Sequence, residues 1–179
     1  GEKSFFVKYG HEKRGIAFMA LEDAYNIALI ESLNKNSLFF IGYSRIGHKS
    51  MNRLISIQDG VSVTSQMVVL GLNYMYYLTD KINPFISGVV GYMKTSWQDT
   101  NQNNDGDFNI IIPVVACGLA LNPFQLEYEN FPIHVSVQVS LNFSYLPSSY
   151  EFDINGNAIL NDWHNAVYPG MSFGIAIPK

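Results

Sequence analysis

The feature that most constrains this fold is a strict alternation of polar and apolar residues from position 134 to position 145. One face of the segment is small and polar apart from one histidine, with His134, Ser136, Gln138, Ser140, Asn142 and Ser144. The other face is apolar or aromatic, with Val135, Val137, Val139, Leu141, Phe143 and Tyr145. A period of two is that of a β-strand. Twelve residues are about twice the length of a typical strand in a soluble protein. The pattern therefore predicts an unusually long strand with two different faces.

The same alternation recurs along the chain. Near the end, Met171, Phe173, Ile175 and Ile177 alternate with Gly170, Ser172, Gly174 and Ala176. In a third segment, Val68, Leu70, Leu72, Tyr74, Tyr76 and Leu78 lie opposite Met67, Val69, Gly71, Asn73, Met75 and Tyr77. We predict eight strands in all, at residues 4–10, 24–33, 38–47, 63–78, 84–97, 109–121, 133–145 and 168–177.

The predicted connections differ in length on the two sides of the sheet. Those on one side are short, at residues 34–37, 79–83 and 122–132, and those on the other are longer and rich in Gly, Asn, Asp and Ser, at 11–23, 49–62, 99–107 and 147–165. Short turns that alternate with long loops along an even number of strands are typical of outer-membrane barrels.

The distribution of charge indicates which face meets lipid. Of the 26 charged residues (11 Lys and Arg, 15 Asp and Glu), only Lys8, Glu31, Arg45 and Lys94 fall in the predicted strands, which make up about half of the chain. A sheet with a water-facing side normally carries Lys, Arg, Asp or Glu there, whereas a charge at the bilayer midplane costs about 2–4 kcal/mol. We therefore predict a single domain, residues 1–179, that is an all-β, eight-stranded antiparallel up-and-down transmembrane barrel. Arg45 shares the parity of the lipid-facing residues and is expected to extend towards the headgroups, as is Lys94.

Residues 20–33 allow two interpretations. Leu21, Tyr25, Leu29 and Leu33 recur at every fourth position, which is also helical spacing. A strand is favoured because a barrel of this type needs an even count and because a turn at 34–37 follows naturally. The fifth and sixth predicted strands lack clean faces, and Pro113 lies inside the sixth.

Composition excludes several classes of function. The net charge of −4 without a basic stripe argues against a nucleic-acid partner. The single cysteine, Cys117, allows no internal disulfide, and no Cys/His group has zinc-ligand spacing. Asp99, Asp105, Gly106 and Asp107 faintly suggest calcium ligation, but the terminal glutamate of an EF-hand loop is absent. A solvated loop is the favoured interpretation, and no catalytic residue, metal or cofactor is predicted.

The stretch LGLNYMYYLTDKINPFISGVVGYMKTSW, from Leu70 to Trp97, resembles the central hairpin of small bacterial outer-membrane barrels of the OmpX/Ail type. In both, a Tyr-rich strand, a short Asn/Asp turn and a strand similar to Gly-Val-Val-Gly-Tyr follow one another. Such barrels usually end on an aromatic residue, whereas this chain ends Ile175-Ala176-Ile177-Pro178-Lys179. The resemblance implies location in the bacterial outer membrane and a role in adhesion or in evasion of host defence.

The predicted size of the barrel directs attention to the loops. Eight strands enclose a lumen only wide enough for side chains, so a porin is not expected. We expect the long loops to contact lipopolysaccharide, other surface components or host proteins, with Trp163 of the Asp162-Trp163-His164 segment as a candidate contact residue. The alternative for Trp163 is that it folds back or lies in the headgroup layer. The sequence names no particular partner and no oligomeric state.

Two other functions stay open at this point. His134 and Ser136 form a His-x-Ser pair that resembles that of outer-membrane lipid A deacylases, which would make the protein a lipid A-modifying enzyme. Against this, no acid lies at an evident spacing, and the pair is expected at the short-turn side, away from the outer leaflet. The other alternative is a soluble, calycin-like barrel that binds an apolar ligand, with its apolar faces turned inward.

Overall fold

The structure is a computed structural model that describes residues 14–34, 36–76, 79, 81–128, 131–152 and 157–178. It contains eight strands and one short helix. In chain order these are β1 (Arg14–Leu21), β2 (Ala24–Ser32), β3 (Ser37–Ile46), α1 (His48–Leu54), β4 (Val61–Met75), β5 (Ile82–Asp99), β6 (Asn104–Tyr128), β7 (Phe131–Phe152) and β8 (Ala158–Pro178). No helix in the described ranges is long and apolar enough to cross a membrane.

The strands form a closed ring. Each strand pairs antiparallel with the next one in the chain, and β1 pairs with β8 through Gly15–Ala20 and Phe173–Pro178 to complete the barrel. The predicted eight-stranded up-and-down barrel is confirmed. Closure matters because lipid offers no hydrogen bonds to an open sheet edge, and each unpaired N–H or C=O there costs several kcal/mol.

An apolar belt covers the outside of the barrel. On β4 and at the residue directly after it, its members are Val68, Leu70, Leu72, Tyr74 and Tyr76, which are 48–56% exposed. The belt continues with Ile82, Ile86, Val90 and Tyr92 on β5, with Val139, Leu141, Phe143 and Tyr145 on β7, and with Met171, Phe173 and Ile175 on β8. Their inward neighbours are buried or half-buried. The predicted faces of β4, β7 and β8 are therefore confirmed, and β5 has an apolar outer face that the sequence did not reveal. The apolar faces point outward, not inward as in the calycin-like alternative.

The height of the belt fits a membrane. From Ile82 to Tyr92 the strand rises about 33 Å at the usual spacing. A tilt of about 40° reduces this to about 25 Å perpendicular to the membrane, which is the usual height of the apolar band in such barrels.

The interior is filled by side chains, and its character changes along the axis. Small polar groups pair across strands inside the barrel: the Asn26 amide donates to Ser44 Oγ at 2.6 Å, and the Ser65 and Thr95 hydroxyls lie 2.7 Å apart. Towards the end where α1 lies, the core is apolar, with Ile46, Met51, Ile55, Val61, Val63, Met93, Trp97, Phe108, Ile110, Ile112 and Leu146. A small, polar interior is thus wrong for this end, because the inward residues of β4, β5 and β6 are apolar there and Met51 and Ile55 of the β3–β4 segment pack against them.

The first strand differs from its prediction. Predicted strand 4–10 lies outside the described residues, and β1 (Arg14–Leu21) falls inside the predicted loop 11–23. Ile16 and Phe18 point outward, and they alternate with Gly15 and Ala17 on the inner face. A two-residue turn leads into β2. Glycine and alanine on the inner face weaken the polar–apolar contrast, which explains why the segment resembles a loop in the sequence.

The later strands are longer than predicted. β5 reaches Asp99, β6 begins at Asn104, and β7 and β8 pair out to Phe152 and Ala158, so the predicted loops 99–107 and 147–165 are largely strand. The predicted turn 122–132 is also wrong, because β6 continues to Tyr128 after a shift in register beyond Leu121. Beyond the belt the outer face carries polar residues such as Ser96 and Gln98, while the buried inner face carries Trp97 and Asp99. The polar–apolar contrast of the belt is lost there, so alternation no longer marks a strand.

Two ambiguities of the sequence are settled by the pairing. Residues 24–32 are β2, hydrogen-bonded to β1 and β3. A spacing of four satisfies both a helix and a strand, which is why the pattern allowed either. Pro113 lies in β6 immediately before Val114, where the pairing with β7 begins. Pro113 pairs with Val90 of β5, but on the side of β7 it has no ladder partner, so no N–H is required of it there.

Candidate functional site

The loop end of the barrel is the end at which β1–β2, β3–β4, β5–β6 and β7–β8 are joined. Its main feature is the mouth segment, residues 47–60, which contains α1 and connects β3 to β4. In the sequence this region was predicted as loop 49–62, without a helix. The mouth segment decides whether the lumen is open at this end.

The start of α1 is held by Asp23 of the β1–β2 turn. One carboxylate oxygen accepts the Lys49 N–H at 2.9 Å, and the other accepts the Ser50 N–H at 3.1 Å and the Ser50 hydroxyl at 2.5 Å. The Gly47 N–H donates to the Asp23 carbonyl at 3.0 Å. A Cβ at position 47 would lie 2.3 Å from the carboxylate, so the approach requires glycine. These bonds satisfy amides that the first turn of a helix otherwise leaves without partners.

The charge state of Asp23 favours this arrangement. Burial raises the pKa of the Asp23 carboxyl, but hydrogen bonds from the Ser50 side chain and from the Lys49 and Ser50 amides lower it by more. The net result is a pKa below the usual value. A second link joins the same two elements, since the Arg53 guanidinium lies 2.9 Å from a Glu22 carboxylate oxygen. The β1–β2 turn therefore anchors α1 at both of its ends.

The mouth segment closes the lumen with apolar side chains. Met51 and Ile55 are 0% and 1% exposed and pack in the cluster with Trp97 and Leu146. Beyond α1 the Ser56 N–H donates to the Ser148 carbonyl of β7 at 3.1 Å. β7 lies almost opposite the β3–β4 junction in a ring of eight strands. The segment therefore spans the mouth nearly along a diameter and fixes both sides to each other.

The β5–β6 hairpin projects beyond the belt. Asp99 is buried and accepts the Asn101 and Gln102 N–H groups at 2.8 and 3.3 Å, which shapes the turn. Asp107 lies 3.0 Å from the Lys94 ammonium, and hydrogen bonds from Ser96 and Lys94 lower the pKa of its carboxyl despite slight desolvation. Within the described ranges no three His, Cys, Asp or Glu side chains are placed to hold a metal ion together. The faint calcium pattern thus separates into a turn former and an ion-pair partner, with an open recess of about 460 Å³ beside Gly106.

The predicted contact residue Trp163 lies in β8, not in a loop. Its ring stacks on Tyr145 of β7, with ring centroids 5.3 Å apart and an angle of 30° between planes. Both rings are partly exposed on the outer face, and Tyr145 is the last belt residue of its strand. This position matches the aromatic girdle of a membrane interface, which is the second of the two interpretations drawn from the sequence.

The His-x-Ser pair lies far from the loop end. His134 and Ser136 pair in register with Ala176 and Gly174 of β8, near the short-turn end of β7. Ser136 is half-buried on the inner face, and the side chain of His134 is outside the described set. On its other side, His134 pairs in register with Gln125 of β6.

The comparison with solved structures bears on the fold. Neisserial surface protein A is similar over 93% of each chain, with a TM-score of 0.55 and 12% identity. The chain has the fold of the small eight-stranded outer-membrane barrels. Also similar are the N-terminal β-barrel domain of Pseudomonas aeruginosa OprF (TM-score 0.48, 12% identity, 92% of this chain and 93% of that one) and Ail, the attachment invasion locus protein of Yersinia pestis (0.41, 9%, 92% of both). No protein-family model and no curated protein matches the sequence.

The residues that close this barrel were missed in the sequence. Asp23 was predicted to end the loop 11–23, and Met51 and Ile55 were predicted to lie in the loop 49–62. A signal existed: Met51 and Ile55 are four residues apart, which is the spacing of one helix face. A helix of seven residues, about two turns, is too short for this pattern to stand out. The partner of Asp23 lies 27 positions away.

Proposed function

We propose that this chain is a bacterial outer-membrane protein that presents the loop end of its barrel for contact with lipopolysaccharide, other surface components or host proteins. The closure of the mouth by Met51 and Ile55 carries the proposal. Buried apolar side chains fill the route that a solute would take at this end, so transport is disfavoured. The surface that remains is the outside of the loop end.

The projecting hairpins supply that surface. From Tyr92 to Asp99, and again from Tyr145 to Phe152, the strand continues for about 23 Å beyond the belt. The hairpins are rigid ladders, which lowers the entropic cost of binding compared with flexible loops. The similar neisserial protein is called a surface protein, which agrees with this proposal at the level of fold.

Orientation is tested by two epitope insertions. One is placed after Gln102, at the exposed tip of the β5–β6 hairpin, and the other after Asn34, in an exposed short turn. In intact cells of a Gram-negative host, antibody is expected to label the Gln102 insertion, and to label the Asn34 insertion only after the outer membrane is permeabilised. Labelling of Asn34 alone in intact cells would contradict the proposal.

Interaction is tested by shortening one hairpin. Residues 96–107 are replaced by a two-residue turn, and cells that display either form are applied to immobilised host matrix proteins and to lipopolysaccharide. Wild-type cells are expected to be retained, and the shortened form to be retained less, with heat-modifiable migration on a gel as evidence of an intact barrel. A variant altered only at the Asn34 turn serves as the control. Equal retention of cells with and without the protein would refute a contact function.

A catalytic role is not proposed. Ser136 is half-buried inside the barrel, in the half next to the short turns. We expect Ser136→Ala to leave the lipid A profile of the host unchanged, and an altered profile would favour the lipid A-modifying enzyme instead.

A further inference from the structure

A row of polar side chains marks the upper limit of the belt at the loop end. On five adjacent strands the register joins Tyr25, Arg45, Gln66, Lys94 and Asn109, which we call the boundary row. Two residues further along each strand towards the belt, the next row of outward-facing residues is Ile27, Tyr43, Val68, Tyr92 and Ile111. The change from polar to apolar is thus completed within one pair of residues on each strand.

The two cations of the boundary row differ in their partners. Lys94 is paired with Asp107 at 3.0 Å. Arg45 is exposed on the outer face and makes no hydrogen bond or ion pair with any residue that the structure describes. Its neighbours across the strands are the phenol of Tyr25 and the amide of Gln66. Here an arginine carries an uncompensated charge where the surface turns to lipid.

A guanidinium in this position calls for an anion from its surroundings. Arginine binds phosphate with two parallel charge-assisted hydrogen bonds, which are among the strong ones in proteins. Neighbouring strands are about 4.8 Å apart, so Lys94 lies about 10 Å from Arg45, with the neutral Gln66 between them. The row can therefore hold one phosphate at Arg45 and offer Gln66 as a further donor.

We infer that Arg45, with Gln66 beside it, binds the phosphomonoester headgroup of a membrane lipid. A lipid is favoured over free phosphate because the site is continuous with the belt. Acyl chains that lie against Tyr43 and Val68 place their headgroup at Arg45. The inference rests on the proposed function for the leaflet concerned: with the loop end outside the cell, this is the outer leaflet and its phosphorylated lipid.

The test uses the full chain folded in dodecyl maltoside micelles, with lipid retention measured by native mass spectrometry. Phosphatidic acid, which carries a phosphomonoester, is expected to be retained, whereas diacylglycerol with the same chains is not. Inorganic phosphate at the same concentration is expected not to displace the lipid. Equal retention of both lipids, or full displacement by inorganic phosphate, overturns the inference without any variant.

Substitutions assign the site. Arg45→Gln is expected to weaken retention of phosphatidic acid by about tenfold or more, in line with the loss of a charge-assisted pair. Arg45→Lys is expected to restore part of it, because the charge stays and the bidentate geometry is lost. Arg53→Gln is the matched control, since Arg53 of α1 is already paired with Glu22 of the β1–β2 turn. Heat-modifiable migration confirms that each barrel is folded.

The outcomes separate this inference from the proposed function. If Arg45→Gln and wild type retain phosphatidic acid equally, the lipid site is wrong, whatever the orientation of the barrel. If the epitope after Gln102 is inaccessible in intact cells while Arg45 still governs retention, the proposed orientation is wrong and the lipid site stands in the other leaflet.

Discussion

The sharpest test of the membrane-facing belt is an arginine at its centre. Leu72 is 55% exposed. It lies four residues from Val68 and four from Tyr76, which are the two limits of the belt along this part of the chain. Four residues are about 13 Å along a strand. With a strand tilt of about 40°, Leu72 lies about 10 Å from each membrane interface, which is close to the midplane. Arginine at that depth is expected to cost about 2–4 kcal/mol of folding free energy.

The matched control lies on the same strand and the same face. Ser62 is exposed beyond the belt and pairs with the neutral Gln98, so Ser62→Arg is expected to cost only about 0–1 kcal/mol. The measurement is reversible urea unfolding in phospholipid vesicles, followed by tryptophan fluorescence and by gel migration. A difference of about 2 kcal/mol or more between the two variants is expected. If Leu72→Arg costs no more than Ser62→Arg, or if the wild type stays monodisperse without detergent, the assignment of the belt to lipid is refuted.

Three further outcomes follow from other parts of the structure. Asp23→Asn is expected to loosen the mouth segment, seen as a lower amide protection factor at Ser50, because a helix cap contributes about 0.5–2 kcal/mol. Since the pKa of Asp23 is depressed in the folded state, the wild-type contribution is complete above the unfolded pKa and is lost as pH falls through the folded one. A wild-type protection factor at Ser50, which is the exchange rate corrected for its intrinsic dependence on pH, that stays constant between about pH 6 and 2 would contradict the cap. Gly118→Ala is expected to cost about 1–3 kcal/mol of folding free energy in the same vesicle unfolding assay, because its Cβ would lie 2.0 Å from the Val139 carbonyl oxygen. Gly88→Ala is the control and is expected to be neutral, because a Cβ there has nothing within 4 Å. Equal costs would show that the register between β6 and β7 is wrong. Met51→Asp is expected to raise ion conductance in planar bilayers by placing a charge in the closed mouth, and conductance equal to wild type would show that Met51 does not seal it.

The sequence predicts the barrel well where lipid enforces alternation. From Val139 to Tyr145 and from Val68 to Tyr76, each residue is either lipid-facing or interior, so the period of two is strict and the strands could be placed. In residues 147–165, beyond the belt, the outer face no longer meets lipid and need not be apolar, so alternation is not enforced and strand was mistaken for loop. β1 was missed for a different reason, because Gly15 and Ala17 make its inner face small but not polar.

The candidate site was the less predictable part. The belt and the outward position of Arg45 follow from parity alone. The closure of the mouth depends on contacts between Asp23 and Ser50 and between Ser56 and Ser148, which are far apart in the sequence. Such contacts leave no periodic trace, so they become visible only when the ring has brought the strands together.

The seam between β1 and β8 gives the barrel an unusual dependence on its solvent. It joins the first described strand to the last through six paired residues, against eighteen between β5 and β6. Closing it brings together Ile16 and Ile177, so almost the whole chain must be ordered first, and this is the slowest kind of contact to form. In water so short a ladder would open readily. In a bilayer, opening exposes unpaired backbone groups to hydrocarbon at several kcal/mol each, so the seam is held shut by the lipid around it, and insertion and closure become a single event.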